Sequence, residues 1–387
     1  DVDLFFPIKD MTQLPARLAA LNPNLRVMED LDKDYLQLRP SYGKKFQAYV
    51  TIQTGCNHFC TFCVVPYARG LEVNRPVKDI LDEIRKLAGV ATVTPPSPSP
   101  TGRGNRVEPS PTGRGGCIEP SHRAGGSCVE VTLLGQIVNH YIAPDPENFS
   151  SDNPFRKNDF AKLLWEINQI SGIERIHWTG PHPLYVDDEL LQALTLPKQL
   201  NFIHLPVQSG NDEVLKRMNR RHTRQYYLDT VSRIRAARPG IAIGTDIIVG
   251  FCGETEEQFN DTVSLYKACD FDISYHAKYS TRSGTLATKI YQDDVPKEEK
   301  KRRWDVLQEL MEATTYRKNQ EYVGKTVSVL FDEYKDGWVT GNSRELKRVR
   351  MKGESGLVGK IQECTVFRAD TLMMCGRLND KCLMIND

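Results

Sequence analysis

The sequence has little of what membrane proteins and disulfide-bonded proteins need. It contains no run of about 18 apolar residues, which argues against a transmembrane helix. Its 387 residues include ten cysteines, too few for a disulfide scaffold, and none of them lies in residues 1–43. Neither sign of charge dominates, because 51 Lys and Arg face 50 Asp and Glu. Any surface for an anionic partner must therefore be local.

The amino terminus lacks a basic leader, a signal-peptide core and an initiating methionine. We therefore expect the chain to be a fragment or a processed product. Three of the cysteines lie within eight residues, a spacing that suits metal binding better than disulfide bonding. A reducing cytoplasm is the expected compartment.

Six short β-rich runs alternate with helical patterns between residues 46 and 279. Apolar residues at a 3.6-residue period predict helices over Val77–Leu87 and Phe160–Ile170. Thr255 and Gln258 have the spacing of a capping box at the start of another helix. Strand–helix units in series predict a parallel sheet with active residues on the loops after its strands. The predicted strands are Phe46–Gln53, Val129–Leu134, Glu174–Trp178, Phe202–Val207, Ile241–Val249 and Asp272–Tyr279.

A tandem repeat interrupts this alternation. Residues 98–130 read PSPTGRGNRVE, PSPTGRGGCIE and PSHRAGGSCVE, with little apolar content to bury. We predict a disordered, low-complexity insertion over residues 92–130. Cys117 and Cys128 fall inside it, and an incidental cysteine in a duplicated unit is a simpler interpretation than a metal ligand.

The carboxyl-terminal part has a different pattern. A long helix is predicted over Pro296–Tyr322, and short alternating strands separated by turn residues follow it. These predict a small antiparallel β-barrel over residues 322–387. Its predicted strands include Thr326–Phe331, Gly337–Thr340, Gly356–Val358 and Glu363–Ala369.

The strongest chemical signal is the triad Cys56, Cys60 and Cys63, in a loop just after the first predicted strand. Three thiolates on one loop can bind three irons of a [4Fe–4S] cluster and leave the fourth iron open for a substrate. One alternative is a structural zinc site, which usually needs a second pair of cysteines that this region lacks. The other alternative is three buried, inert cysteines.

The string GCNHFCTFCVVPYARG resembles the radical S-adenosylmethionine methylthiotransferases, and within them the enzymes that act on tRNA. Further similar segments are VTLLGQIVNHY, PHP, HLPVQSGND and TDIIVGFCGET, so the resemblance runs from about residue 42 to the carboxyl terminus. It implies a partial (β/α)6 radical SAM barrel over residues 44–321 and a TRAM-like RNA-binding barrel over residues 322–387. The sequence departs from the family pattern at Cys252 and Ser283, where the family usually has proline.

The resemblance implies that S-adenosylmethionine binds the open iron, that its carbon–sulfur bond is cleaved, and that the 5′-deoxyadenosyl radical removes a hydrogen atom. Phe59 and Phe62 flank the thiols and are expected to shield the cluster. Polar groups at the ends of parallel strands are candidates to hold the cofactor, although each one is also explained by a turn or a satisfied buried residue. These candidates are Gly135, Gln136, Gln208, Ser209, Thr245 and Asp246. No catalytic side chain is assigned.

Two basic clusters suit a phosphate-rich partner. One lies in residues 216–224, and the other lies in the small barrel. A solvated face is the plain alternative for each, and the TRAM resemblance favours RNA for the second, with stacking on Trp338 or Tyr334. The candidate RNA-binding residues are Arg344, Lys347, Arg348, Arg350 and Lys352.

The family also carries an amino-terminal domain whose three cysteines hold a second [4Fe–4S] cluster. Residues 1–43 resemble only the last part of that domain and contain no cysteine. We therefore expect an incomplete stretch of a longer product, able to cleave the cofactor but not to complete methylthiolation. The expected substrate is N6-isopentenyladenosine beside the tRNA anticodon, and the expected electron donor is a flavodoxin or a ferredoxin. The alternatives are a methylthiotransferase acting on a ribosomal-protein aspartate and a non-catalytic RNA-binding protein with a structural metal.

Overall fold

The computed structural model describes residues 14–21, 42–90 and 128–378. Most of the repeat and of residues 1–43 lies outside these ranges. Six parallel strands follow one another in chain order and form two three-stranded sheets. The first sheet contains β1 (Gln47–Thr51), β4 (Glu130–Leu134) and β5 (Arg175–Trp178), and the second contains β6 (Phe202–His204), β7 (Ala242–Val249) and β8 (Ile273–Lys278). A short antiparallel pair, β2 (Gln53–Thr54) and β3 (Val73–Asn74), flanks the first sheet.

The two sheets are joined where β5 meets the segment before β6. Ile176 forms a parallel bridge with Gln199, and the Leu200 N–H donates to the Ile176 carbonyl at 2.9 Å. The strands therefore curve in sequence order around one interior, and helices cover the outside. This confirms the predicted partial (β/α)6 barrel.

The helices lie close to the positions that the apolar period predicted. α3 spans Val77–Leu87 and buries Val77, Ile80, Leu81 and Ile84 against the sheet. The capping box is confirmed, since Thr255 Oγ1 accepts the Gln258 N–H and Gln258 Oε1 accepts the Thr255 N–H. None of the described helices is both long and apolar enough to cross a bilayer. The remaining helices are α1 (Leu14–Leu21), α2 (Val65–Arg69), α4 (Asp159–Gln169), α5 (Asp188–Ala193), α6 (Asp212–Arg217), α7 (Arg224–Ala237), α8 (Glu256–Cys269), α9 (Ala287–Ile290) and α10 (Lys297–Gln320).

The carboxyl-terminal barrel is closed and has its own apolar core. Four of its five strand pairs are antiparallel, while β11 (Arg348–Lys352) and β13 (Met374–Leu378) run parallel. The strand predicted over Gly356–Val358 is wrong, because a 3-10 turn occupies Ser355–Leu357. Its strands are β9 (Thr326–Lys335), β10 (Trp338–Ser343), β11 (Arg348–Lys352), β12 (Ile361–Ala369) and β13 (Met374–Leu378).

The small barrel packs against the amino-terminal edge of the parallel strands. Asn201, just before β6, donates its N–H to the Arg344 carbonyl at 2.7 Å. Arg175, the first residue of β5, donates to the Ser343 carbonyl at 3.0 Å. The loops that follow the parallel strands therefore lie at the opposite edge, away from the small barrel.

Candidate functional site

The cysteine loop begins where β2 ends and folds back against β3. Gly55 has a φ of +71°, and a Cβ at this position would lie 1.9 Å from the Leu71 carbonyl oxygen. Only glycine allows both this backbone conformation and this close approach. The Cys56 N–H then donates to the Gly70 carbonyl at 3.1 Å. The first thiol is thereby fixed at the carboxyl-terminal edge of the sheet.

A segment 160 residues further along the chain holds the loop in place. The Thr61 N–H donates to the Met218 carbonyl at 3.1 Å. The Asn219 side-chain amide donates to the carbonyls of His58, at 3.1 Å, and Phe59, at 3.0 Å. Phe59 and Asn219 both adopt positive φ, of 49° and 55°. Such strain in two non-glycine residues persists only where surrounding contacts enforce it.

The three thiols are free cysteines, with Cys56 and Cys60 buried and Cys63 partly exposed. Burial raises the pKa of Cys56 and Cys63, and the neighbouring triad thiols raise it further. Without a metal these two groups stay protonated at neutral pH, whereas bound iron favours the thiolate. Three adjacent, unbridged thiols on one loop thus match the ligand set of a [4Fe–4S] cluster.

No group of three His, Cys, Asp or Glu side chains in the described ranges converges closely enough to hold a single metal ion. A cubane cluster requires less convergence of its ligands, since each thiolate binds a different iron. A site for a single metal ion therefore needs the three thiols close together, whereas a [4Fe–4S] cluster allows them to lie further apart.

A group of histidines lies beside the loop, and our sequence reasoning did not assign it. His58 Nε2 is 2.8 Å from the Tyr185 hydroxyl, and the His58 and His182 rings lie 4.5 Å apart. His140 Nδ1 is 3.0 Å from the Glu72 carboxylate. Burial first, and then Arg220, lower the pKa of His58 to about 4. The His58 ring is therefore neutral at physiological pH.

These residues follow strands β4 and β5. His140 and His182 lie within the strings VTLLGQIVNHY and PHP. Their position just after a predicted strand was the only feature of the sequence that could have pointed to them. Individual histidines carry no such signal, because burial inside a polar cluster cannot be read from spacing. Gln53 was also missed, and its Oε1 accepts the Ile137 N–H at 3.0 Å.

Among the proposed cofactor contacts, some hold the scaffold. Thr245 is fully buried and its hydroxyl donates to the Leu205 carbonyl at 2.8 Å. Ser209 is fully buried beside the Thr262 hydroxyl at 3.3 Å. Phe62 packs on an apolar cluster that includes Phe251. These three side chains are engaged within the protein.

Other proposed contacts have groups to offer. Gln208 has a φ of +71°, and its side-chain amide has no hydrogen-bond partner among the described residues. Asp246 is 42% exposed and pairs with His204 at 3.0 Å. Phe59 is 37% exposed and contacts the Tyr67 ring edge-on. We therefore retain, as a proposal, the prediction that these three residues contact the cofactor: Gln208, Asp246 and Phe59.

Gly135 and Gln136 lie in the loop after β4. A Cβ on Gly135 would lie 3.1 Å from both Gln53 Cβ and Val138 Cγ1, so a larger residue would press the loop outward. Gln136 is half-buried in this loop. Both positions remain predicted cofactor contacts.

Three of the five predicted RNA-binding residues are occupied by protein contacts. Lys347 is buried, with its ammonium 2.9 Å from Asn319 Oδ1 and 3.3 Å from Asp272. Arg344 donates to the Gln199 carbonyl at 2.6 Å. Arg348 pairs with Asp332 at 2.7 Å. The sequence interpretation grouped these cations with Arg350 and Lys352 because spacing does not reveal which side of a strand or loop faces the protein.

His222 gives a test of the buried histidines. Burial, with Arg220 nearby, lowers its pKa to about 3, and the neighbouring rings are His182 and Tyr227. Unfolded histidine titrates near 6.5, so between these values the unfolded chain binds a proton that the folded chain does not. Stability therefore falls on acidification below about pH 6.5, by about 1.4 kcal/mol per pH unit for this group.

We expect His222→Gln to reduce this pH dependence by about one proton equivalent, measured as urea unfolding free energies between about pH 7 and pH 5. Gln192→Ala, a substitution at an exposed position of α5, serves as the control and should leave the slope unchanged. An unaltered slope in His222→Gln would show that this histidine titrates normally.

The fold and the cysteine loop define a radical S-adenosylmethionine enzyme. A family model described as the radical SAM superfamily matches residues 147–266. Enzymes of this superfamily use a [4Fe–4S] cluster and S-adenosylmethionine, which agrees with the thiol set described above.

The chain is 35% identical over 356 residues to a tRNA-2-methylthio-N(6)-dimethylallyladenosine synthase of Clostridium botulinum, covering 91% of this chain and 69% of the relative. It is 37% identical over 352 residues to the synthase of the same name from Thermotoga petrophila, covering 90% and 69%. The chain belongs to the tRNA-2-methylthio-N(6)-dimethylallyladenosine synthase family.

Solved structures with a similar fold include coproporphyrinogen III oxidase from Escherichia coli, described as a radical SAM enzyme. Its TM-score is 0.47 at 17% identity, covering 79% of this chain and 68% of that one. A second is methylornithine synthase, with a TM-score of 0.41 at 14% identity, covering 70% and 63%.

Proposed function

We propose that the protein is a transferase that adds a methylthio group to C2 of N6-isopentenyladenosine beside the tRNA anticodon. Family membership supports this reaction, and the observation that carries it is the triad of free thiols on the loop after β2. The cluster and S-adenosylmethionine supply the radical chemistry when bound. We divide the chain into residues 1–43, 44–321 and 322–387, with 92–130 inserted in the second part.

In this proposal Cys56, Cys60 and Cys63 hold three irons. Phe59 and the histidine group cover the loop and limit access of water, which protects a reactive intermediate. Gln136, Gln208 and Asp246 offer polar groups at strand ends, where parallel sheets bind ligands. The substrate base must leave the stack of the anticodon loop to reach this edge.

The surface proposed to bind RNA on the small barrel is the Trp338 patch, which we define as Trp338, Arg350 and Lys352. Register places Trp338 opposite Lys352 across β10 and β11. The Arg350 guanidinium lies 5.1 Å and the Lys352 ammonium 5.8 Å from the centre of the indole ring. An aromatic ring flanked by two exposed cations suits base stacking together with phosphate contacts.

We expect Trp338→Ala to weaken tRNA binding by about 1–3 kcal/mol, the usual value of one stacked base. Arg350→Gln should weaken binding and reduce the slope of log K against log salt by about 0.9. The measurement is a filter-binding or fluorescence titration at several salt concentrations.

Phe367→Ala is the matched control, because Phe367 is a 54% exposed aromatic residue of the same barrel. It should leave the affinity within about twofold, well under the loss of one stacked base. Equal losses for both aromatic substitutions would refute the Trp338 patch as the RNA contact.

The reaction is tested with anaerobically purified protein and a low-potential electron donor such as flavodoxin or ferredoxin. Two products are measured: 5′-deoxyadenosine, which depends on the triad, and methylthiolated nucleoside in tRNA carrying N6-isopentenyladenosine. Residues 1–43 contain no cysteine for a second cluster, so the two products can separate. One tetrahedral zinc per chain without acid-labile sulfide would overturn the proposal.

A methylthiolated ribosomal-protein aspartate, with unmodified tRNA, would instead identify the sister reaction. We propose the cytoplasm as the compartment, since all eight cysteines of the described residues are free thiols. The chemistry of the cluster also requires reduction, which this compartment provides.

A further inference from the structure

Each thiol of the triad accepts a hydrogen bond, but the donors differ in kind. Cys56 and Cys63 accept backbone N–H groups two residues further along, from His58 at 3.5 Å and from Val65. Cys60 Sγ instead lies 3.6 Å from the guanidinium Nη1 of Arg220, 160 residues away in sequence. Because arginine keeps its proton under all ordinary conditions, Cys60 receives a permanently charged donor.

Arg220 is held in place from several sides. Its backbone N–H donates to the Leu215 carbonyl at 2.8 Å, and its Nη2 donates to the Pro206 carbonyl at 3.1 Å. The preceding Asn219 binds the carbonyls of the cysteine loop itself. The guanidinium is therefore fixed relative to the thiols and does not swing freely from the surface.

One atom of this arginine is left without a partner. Arg220 Nε is buried and makes no hydrogen bond to any described residue. A buried N–H without an acceptor is destabilising, so an unpartnered Nε beside Cys60 favours an acceptor that binds there. Iron–sulfur clusters carry such acceptors, and hydrogen bonds to their sulfurs tune the reduction potential.

Arg220 supplies the guanidinium that hydrogen-bonds a triad sulfur, and Arg282 is a second cation that acts on Cys63. Adding an electron makes a cluster more negative, and a fixed positive charge near its ligand lowers the energy of that state.

We propose that Arg220 is a positioning residue that sets the reduction potential of the cluster by donating an N–H to the Cys60 sulfur. The inference rests on the cluster of the proposed function. One electron passes from an external flavodoxin or ferredoxin to the cluster, and no bond breaks in this step. Arg220 stabilises the reduced form and thereby makes the electron easier to accept.

The experiment is a redox titration of the loaded protein with dithionite, followed by electron paramagnetic resonance. We expect Arg220→Gln to lower the equilibrium constant for reduction at least tenfold, or about 59 mV for a one-electron couple. Arg220→Lys keeps a charge but loses the planar fork, so its decrease should fall between threefold and tenfold. Arg221→Gln removes an exposed neighbouring charge and should stay within threefold of wild type.

Asn219→Ala distinguishes an effect on the reduction potential from an effect on the structure of the cysteine loop. This variant loosens the cysteine loop while leaving Arg220 in the chain. We expect it to retain less iron per chain, with a wild-type potential in the loaded fraction. A potential decrease equal to that of Arg220→Gln would mean that any disturbance of the loop gives the effect, which would overturn the inference.

Two failures can be told apart. Wild-type protein without iron and sulfide defeats the proposed function, whereas a loaded Arg220→Gln variant within threefold of wild type defeats only this inference. If Arg220→Gln does not load, Arg220→Lys decides by its potential. Failure of both variants to bind iron would assign Arg220 to holding the loop and also overturn the inference.

Discussion

Replacing any one of Cys56, Cys60 and Cys63 by alanine should lower 5′-deoxyadenosine formation at least about 100-fold. That value is the upper end of the loss seen when only a supporting partner of a metal ligand is removed. Removal of a ligand itself leaves one iron without a protein ligand. The amounts of bound iron and sulfide should therefore fall together with the activity. Both quantities are measured on the same anaerobic preparation.

Cys375→Ala is the matched control, because this cysteine is also free and partly exposed but lies on β13 of the small barrel. It should retain its iron, its sulfide and its 5′-deoxyadenosine formation. Full iron content in all three triad variants would mean that the metal lies elsewhere.

Glu130→Gln should destabilise the protein by about 3–5 kcal/mol, the cost of leaving a buried charge unpaired. Glu130 Oε2 lies 2.6 Å from Arg175 Nε, and the two residues are only 6% and 1% exposed. Gln47 donates to the other carboxylate oxygen at 2.7 Å. The substitution removes the anion while Arg175 stays buried, and its Nη1 already lacks a partner among the described residues.

Urea denaturation measures this effect, and Asp305→Asn is the control. Asp305 pairs with Lys301 on the surface of α10, where the two side chains are 42% and 65% exposed. Exposed pairs contribute no more than about 1 kcal/mol, so this variant should remain close to wild type. A similar loss for both variants would show that water reaches the Glu130 pair.

Much of the framework followed from apolar periodicity. The period of α3 matches its structural limits, Val77–Leu87, because one face of that helix is wholly buried. The strand β11 was not predicted, although Val349 and Met351 alternate with cations. The charged residues of this segment were interpreted as an RNA-binding surface instead. The predicted strand over Gly356–Val358 failed because two closely spaced glycines suit a turn better than a ladder.

The site divided in a similar way. Local spacing was enough to find the cysteine triad, because all three thiols belong to one loop. Arg220 could not be linked to Cys60, since only the folded sheet brings residues 160 positions apart into contact. Lys347 was assigned to RNA, but it lies against Asp272, where an ion pair crosses between the two barrels.

The small barrel and the cysteine loop lie at opposite ends of the parallel strands. The longest of these, β7, has eight residues, which at about 3.3 Å per residue gives about 26 Å. An RNA gripped at the Trp338 patch must therefore reach along the flank of the enzyme before its base meets the thiols. A free nucleoside or a very short oligonucleotide cannot span that distance. The separation between the Trp338 patch and the cysteine loop therefore selects substrates as large as a whole folded stem and loop.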